Sequence, residues 1–340
     1  MNINQMKSAI SKFRKANLSV IKDEKLRAKA QKLQGKEKGF TLLELLIVIT
    51  LIAILATGAL IAYENVGDNA ESAAAANSAA TIDRAIRTFR AVDGAYPNQW
   101  DNLVLTGSAS AIPFLPVAAE SFLGAWQTSQ ATSASLAGAL GRAGITELQS
   151  IYGGPLPDGV SPNRAHNEST FPAVGTASGA SEFELFEDGV VGDIPGFISV
   201  LPNAACSFEG YPTTTLAGND FVATTGASNG IQNSYADVLE GDECHAVVAI
   251  GFGGDAAAST ALSNVAIAQS PTYSRRGVVN PSEEYARFIG LFLVGTESTP
   301  QQFEYLEQAK LLAVIATDGE NIDSLNALAA QGNPESGDDD

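Results

Sequence analysis

The stretch KGFTLLELLIVITLIAILATGALIA, residues 38–62, decides the fold of this chain. Its last 23 residues, 40–62, are predominantly apolar, and as a helix they would be about 35 Å long, enough to span a bilayer. One carboxylate, Glu44, lies near the start of this run. An ionised side chain inside hydrocarbon costs roughly 2.5–3.5 kcal/mol on insertion scales, so the position of Glu44 predicts a partner for it.

Charge divides the chain at residue 40. Residues 1–39 hold 11 Lys or Arg and three acids, a net charge of +8, whereas residues 40–340 hold nine basic and 35 acidic residues, a net charge of -26. The positive-inside rule therefore places the N-terminus in the cytoplasm and everything after residue 62 outside. The acidic exported part has no basic patch, so we do not expect it to bind nucleic acid.

Two other kinds of apolar segment compete with this interpretation. A secretory signal has a shorter apolar core and a small-x-small cleavage site after it, whereas here Thr57-Gly58-Ala59 is a mediocre site inside the run. A plain uncleaved anchor explains the length of the run. It explains neither Gly39 before it nor Glu44 within it.

The letters KGFTLLE, residues 38–44, followed by the apolar run, resemble the prepilin cleavage and methylation motif of type IV pilins and type II secretion pseudopilins. The resemblance implies that prepilin peptidase cuts between Gly39 and Phe40 and that Phe40 becomes an N-methylphenylalanine terminus. It also implies assembly partners: copies of this chain, other pilin-like subunits and an inner-membrane assembly platform.

The function that follows is a structural subunit of a type IV pilus-type filament, without catalytic residues or a required cofactor. The alternative within the family is a type II secretion pseudopilin, and a more remote one is a membrane-anchored exported enzyme. We expect the precursor in the cytoplasmic membrane, in contact with the lipid bilayer, and the mature chain in an extracellular or periplasmic filament.

Glu44 gains a role in assembly in this setting. Cleavage after Gly39 creates an α-amino group on Phe40, whose ordinary pKa of roughly 8 keeps it mostly protonated near neutrality. In a bundle of apolar helices, the amine of one subunit can neutralise Glu44 of its neighbour and set their axial stagger. The alternative to this pairing is that the Glu44 side chain, which lies near a helix end, extends to the membrane–water interface.

The apolar run is predicted to continue as one helix over residues 40–92, on the order of 80 Å long, because no proline occurs before residue 97. Ile82, Ala85, Ile86 and Phe89 form one apolar stripe, which predicts packing on a globular domain. The helix is expected to end at Gly94 and Pro97, and glycines 58 and 67 are where it is expected to bend.

The sequence predicts an α+β fold, in which the long helix packs on an antiparallel sheet with long loops. Strands are predicted at residues 183–186, 197–201, 246–252, 286–294 and 311–316, with a short helix near 301–307. Residues 104–181 are rich in Gly, Ala, Ser and Pro and show little periodicity except at 137–151, where a short helix is expected. The predicted divisions are a basic leader (1–39) that is removed, a transmembrane and assembly helix (40–62), an extramembrane helix (63–93), a loop-rich region (94–181), a β-rich region (182–330) and an acidic tail (331–340).

Cys206 and Cys244 are the two cysteines, and both lie in the part placed outside the cytoplasm, where disulfides persist. A bridge between them would stabilise the fold by roughly 3–4 kcal/mol in the chain-entropy model. Pilin-like subunits often carry one bridge, usually nearer the C-terminus than this pair. Two buried free thiols are the alternative.

Asp318, Glu320 and Asp323 are candidate calcium ligands, because the resemblance to major pseudopilins implies calcium near the C-terminus. The spacing is not that of an EF-hand loop, and a solvated acidic segment explains these residues equally well. The letters GFGGDA, residues 251–256, match a dinucleotide fingerprint. The acid expected about 20 residues later is missing, which argues against a nucleotide site.

Overall fold

The computed structural model describes residues 3–34, 42–128, 130–151, 161–164, 182–203, 206, 210–218, 244–299 and 302–331. These residues fall into two compact units, Met1–Tyr63 and Glu64–Asp340. The first unit contains helices α1 (Ile3–Lys15) and α2 (Glu24–Gln34) and a 3-10 turn (Leu18–Val20). Helix α3 (Leu42–Asp93) begins in the first unit and ends in the second.

Helix α3 confirms the predicted long helix, and it is continuous through glycines 58 and 67. Three residues of the predicted apolar stripe are buried in the second unit, Ile86 fully and Ile82 and Phe89 nearly so, whereas Ala85 is half-buried. The stripe begins earlier than predicted, because three alanines on the same face of the helix are also buried. These are Ala75, Ala76 and Ala79. Their small side chains fit where the helix contacts the core of the second unit.

The chain leaves α3 through a glycine and then turns onto the sheet. Gly94 has a φ of +76° and its N–H donates to the carbonyl of Arg90 at 3.0 Å, which is a left-handed helix end. The Tyr96 N–H donates to the carbonyl of Ala143, and the Tyr96 hydroxyl accepts a hydrogen bond from the Leu311 N–H. This junction therefore joins the end of α3 to distant parts of the second unit.

The second unit is built on one sheet, which confirms the α+β fold class. Within the described residues its strands are β1 (Trp100–Asn102), β2 (Gly124–Gln127), β3 (Glu147–Ser150), β4 (Glu182–Glu184), β7 (Phe197–Leu201), β8 (Cys244–Gly251), β9 (Ile289–Thr299) and β10 (Gln302–Ile315), and a separate two-stranded ribbon is formed by β5 (Phe186–Glu187) and β6 (Val190–Val191). The strands of the sheet follow the order β10-β9-β8-β1-β3-β4, with β7 also paired to β8, and β2 to β7. Most pairs are antiparallel, but β1 pairs with β3 in parallel, so the sheet is mixed.

Both faces of this sheet are covered. Along β8, Ala246, Val248 and Ile250 point into the cluster that contains the α3 stripe, whereas Val247 and Ala249 point into a second cluster. This alternation follows from the two-residue period of a strand. The remaining described helices are α4 (Val117–Glu120), α5 (Gln130–Arg142), α6 (Gly254–Ala258) and α7 (Ile322–Gln331), with a further 3-10 turn at Pro162–Arg164.

The predicted helix near residues 301–307 is wrong, because strand β10 occupies Gln302–Ile315. Gln, Glu and Leu in this stretch favour a helix locally, but Phe303 and Tyr305 alternate at the period of a strand. Their rings contact each other edge to face at 4.8 Å, and the residues pair with Glu297 and Gly295 of β9. Cross-strand pairing therefore outweighs the local helical preference.

Residues 104–181 contain more regular structure than predicted. The short helix predicted at 137–151 is confirmed only in part, because α5 runs from Gln130 to Arg142 and strand β3 occupies residues 147–150 of that stretch. Strand β2 was missed altogether, although its Trp126 is fully buried. Strands β1, β2 and β3 belong to the same sheet as the strands after residue 181.

Strand β10 lies at an edge of the sheet, and polar side chains contact its backbone. The Arg87 guanidinium donates to the carbonyl of Leu312 at 3.1 Å, and the Arg142 guanidinium donates to that of Glu307 at 2.5 Å. An edge strand with free backbone groups is a template for unwanted pairing, and these contacts occupy part of that edge.

We predict that Ile86→Ala lowers the free energy of unfolding by about 3 kcal/mol, because the truncation leaves a cavity at a fully buried position of the α3 stripe. Denaturant unfolding of the full chain in detergent measures it through the fluorescence of two fully buried tryptophans, Trp100 and Trp126. Thr88→Ala, at an exposed position of the same helix, is the matched control and should change stability by less than about 0.5 kcal/mol. Equal stability of the two variants would contradict packing through the stripe.

Candidate processing and assembly site

The first part of α3, Leu42–Leu60, is a helix whose apolar side chains are exposed. It has 19 residues with a mean hydropathy of 2.5, and none of it is buried within the described structure. Its length of about 28 Å matches the hydrocarbon core of a bilayer. Leu42, Ile54 and Leu60 are 85%, 71% and 73% exposed. Lipid or other apolar helices must cover such a surface, because water does so only at a large free-energy cost.

The polar side chains of this segment differ in whether the helix itself satisfies their hydrogen bonds. The hydroxyls of Thr50 and Thr57 donate to the carbonyls of Ile47 and Ala53, each at 2.9 Å, so the helix itself satisfies them. Glu44 is the one ionisable residue between Leu42 and Leu60. The free-energy cost of transfer into an apolar environment is therefore far larger for the Glu44 side chain than for its neighbours.

Glu44 lies in the first turn of α3 and is exposed. The unpaired N–H groups and the macrodipole at a helix N-terminus favour a carboxylate there. Leu43 and Leu45 beside it are 65% and 59% exposed, so the carboxylate is set in an apolar surface. Gly39 and Phe40, the predicted cleavage residues, lie outside the described residues.

Cys206 is buried in the second unit, and its Sγ lies 3.9 Å from the carbonyl oxygen of His245. His245 follows Cys244, the first residue of β8. Nearby, the buried Tyr211 hydroxyl donates to the carbonyl of Leu201 at 2.7 Å. Burial raises the pKa of Tyr211 above its ordinary value, so this hydroxyl stays protonated as a donor. The Cys206–Cys244 bridge stays a prediction, because the side chain of Cys244 lies outside the described residues.

The calcium candidates Asp318 and Glu320 meet an arginine. Arg275 Nη1 lies 3.1 Å from Asp318 Oδ2 and 3.4 Å from Glu320 Oε1, and the Asp318 side chain is 2% exposed. The hydroxyl of Tyr273 also donates to Asp318 Oδ2. Asp323 lies in the first turn of α7. Sequence patterns did not point to Arg275 or Tyr273, since both lie in a stretch without helical or strand periodicity.

In this cluster one arginine faces two carboxylates, so its charge can neutralise only one of them. Burial alone lowers the pKa of Arg275, but the hydrogen bond and charge of Asp318 outweigh it and the net effect is a raised pKa. Burial, followed by the adjacent Asp318 charge, raises the pKa of Tyr273. Among the described residues no group of three or more His, Cys, Asp or Glu side chains is placed to hold a metal ion. Calcium at Asp318, Glu320 and Asp323 stays a prediction, and any cation there competes with the Arg275 guanidinium.

Two of the three glycines in the GFGGDA stretch are required by close packing. A side chain at Gly251 would clash with the hydroxyl of Tyr285, and one at Gly253 would clash with the carboxylate of Asp101. The Tyr285 hydroxyl donates to Asp101 Oδ2 at 2.7 Å, and both residues are buried. Burial, together with the charge of Asp101, raises the pKa of Tyr285. Strand β8, which ends at Gly251, pairs antiparallel with β7 and β9, whereas a dinucleotide site needs parallel strands.

Comparison with known proteins identifies one segment. The family model described as the prokaryotic N-terminal methylation motif matches residues 34–60. No curated protein and no solved structure matches the chain. The matched segment contains Gly39, Phe40 and Glu44 and ends where the exposed apolar part of α3 ends. The chain therefore carries the N-terminal signature of type IV pilins and pseudopilins.

Proposed function

We propose that this chain is a structural subunit of a type IV pilus-type filament. Prepilin peptidase removes residues 1–39 and methylates Phe40, and the mature chain of 301 residues polymerises through the apolar part of α3. The leader is cytoplasmic, and the second unit is exported. The observation that carries the proposal is the exposed apolar segment Leu42–Leu60 with one carboxylate in its first turn, inside the matched methylation motif.

We further propose that Glu44 pairs with the N-terminal amine of Phe40 in a neighbouring subunit. Each charge alone is costly in an apolar bundle, and as a pair in contact the two are tolerated. The pair also selects one axial offset between neighbouring helices, because only that offset brings amine and carboxylate together. The partners of this chain are accordingly its own copies and other pilin-like subunits, assembled on an inner-membrane platform.

The second candidate is a type II secretion pseudopilin, since the matched motif is common to both classes. The 301 residues that follow Gly39 already exceed the size of a major pseudopilin, which favours the pilus. The retained Glu44 argues against a tip pseudopilin, which in that family lacks this carboxylate. An exported enzyme held by the same helix is the remaining alternative, and the location of the assembled protein separates all three.

We also propose that Cys206 and Cys244 form a disulfide bond. Cys206 is buried within contact distance of the residue that follows Cys244, and both cysteines lie in the exported part. The bridge would tie the segment after β7 to the first residue of β8 and close a loop around residues 207–243.

Cleavage after Gly39 can be tested on the fibres themselves. Fibres sheared from the cell surface should contain this chain with N-methyl-Phe40 as its first residue, which mass spectrometry of the N-terminal peptide measures. Replacement of Gly39 by a bulky residue should leave the full-length precursor in the membrane, because the peptidase cuts after a small residue. Processed protein confined to the periplasm would favour the pseudopilin. An unprocessed wild-type chain would contradict both.

Glu44 is expected to be required for fibre assembly. Glu44→Val should leave cleavage after Gly39 intact and abolish fibres, because the neighbour's amine loses its counter-charge. Electron microscopy of sheared fractions measures fibres, and N-terminal mass spectrometry measures cleavage. Leu45→Val, an apolar exchange in the same turn, is the matched control and should assemble normally. Normal fibres from Glu44→Val would remove the carboxylate from the assembly mechanism.

The bridge between Cys206 and Cys244 is expected in the exported protein. Alkylation of the unfolded, unreduced protein should find no free thiol, and peptide mapping should recover residues 206 and 244 in one linked peptide. Replacement of both cysteines by alanine should lower the free energy of unfolding by roughly 3–4 kcal/mol, because the unfolded chain gains entropy. Two alkylated cysteines per chain in exported protein would contradict the bridge.

A further inference from the structure

Helix α1 carries an exposed apolar stripe that the filament function does not use. Met6, Ile10 and Phe13 recur at i, i+4 and i+7, and they are 50%, 55% and 41% exposed. Ser8 lies about 160° around the helix from Ile10, so it is on the opposite, polar side. The stripe belongs to the leader, which is removed before assembly under the proposed function.

The leader is nevertheless folded by specific hydrogen bonds. Asp23 caps α2, because its Oδ1 accepts from the N–H groups of Lys25 and Leu26 at 2.9 and 3.3 Å. At the other end of α2, the amide of Gln34 donates to the carbonyls of Phe13 and Ala16 at 2.7 and 2.9 Å. These bonds satisfy carbonyl groups at the end of α1 and hold the end of α2 against it.

Positive charge accompanies the apolar stripe. The 11 Lys or Arg residues of the leader are balanced by only three acids. On α2, Lys25, Lys29 and Lys32 recur at i, i+4 and i+7, and all three side chains are exposed. A basic helical segment with an exposed apolar stripe is typical of helices that lie in a membrane surface.

The positive charge of the leader and its short connection to the apolar segment of α3 indicate what covers the stripe. A second leader carries the same net charge of +8, so two copies repel each other. Gln34 is eight residues before Leu42, the start of the apolar segment of α3, and eight residues span at most about 29 Å. Once that segment is in a bilayer, α2 cannot move far from the lipid headgroups. The cytoplasmic leaflet is anionic and attracts basic segments beside a membrane helix.

We propose that the leader docks on the membrane before cleavage. The stripe of Met6, Ile10 and Phe13 inserts at the boundary between headgroups and acyl chains, and the lysines of α2 contact anionic phospholipid headgroups. Docking keeps both the end of α2 at Gln34 and the start of the apolar segment at Leu42 close to the bilayer, where a membrane peptidase acts. The inference concerns the uncleaved chain, so it holds for a pilin and for a pseudopilin alike.

Environment-sensitive labels on the full-length precursor test the proposal. The chain is purified from cells without peptidase, labelled with NBD at Ile10→Cys, and reconstituted into vesicles of phosphatidylcholine alone or of equal parts phosphatidylcholine and phosphatidylglycerol. A spin-labelled lipid should quench the label several-fold more strongly in the anionic vesicles, and high salt should reduce the difference. Wild-type chain treated with the same dye measures the background from Cys206 and Cys244.

Ser8→Cys is the matched control, because it lies on the polar side of the same helix. Its label should stay accessible to a water-soluble quencher in both kinds of vesicle. Positions 8 and 10 are both exposed, so neither label displaces a packed side chain. In a second variant, Lys25, Lys29 and Lys32 are replaced by Gln. Quenching of the label at position 10 should then no longer depend on phosphatidylglycerol. Replacement of the same three residues by Arg should preserve this dependence.

Two results would overturn the proposal. A label at position 10 that stays accessible to the water-soluble quencher in anionic vesicles would show that the stripe does not dock. A label that is shielded equally with and without phosphatidylglycerol, and that lipid does not quench, would show that protein covers the stripe.

Discussion

A helix with 19 residues of mean hydropathy 2.5 and no burial must be covered, and this requirement governs the rest of the molecule. A bilayer can cover it, and in the proposed filament neighbouring copies of the same helix would do so. Hydrophobic contact alone is non-directional and selects no register between such helices. In the proposed filament, Glu44, the one ionisable group of the segment, would provide the directional element, because a carboxylate in an apolar bundle requires a specific counter-charge.

The second unit uses the same helix differently. After the first unit ends at Tyr63, the residues of α3 that lie in the core change from small alanines to Ile82 and Ile86, which pack with side chains of the sheet. Gly94 and Tyr96 then fix the exit of the chain through a left-handed turn and backbone hydrogen bonds. The helix is thus part of the core of the second unit as well as the candidate assembly element.

Strong local patterns made the helix, its stripe and strand β7 predictable from the sequence, and Phe197–Leu201 was predicted with its observed bounds. The short strands β1, β2 and β3 were not predictable, because three or four residues carry little periodicity and their partners are distant in sequence. Strand β10 was misassigned in part, since pairing with β9 overrides its local helical preference. Arg275, the partner of Asp318 and Glu320, lies in an irregular segment whose contacts only the three-dimensional structure reveals.

The most direct test of the central claim is a high-resolution helical reconstruction of assembled fibres by electron cryomicroscopy. The quantity to measure is the distance from the nitrogen of Phe40 to the nearest carboxylate oxygen of Glu44 in a neighbouring subunit. The account predicts a distance within about 4 Å, the limit for an ion pair. The proposed ion pair is contradicted if no Glu44 carboxylate of any neighbouring subunit lies within that distance of the Phe40 nitrogen.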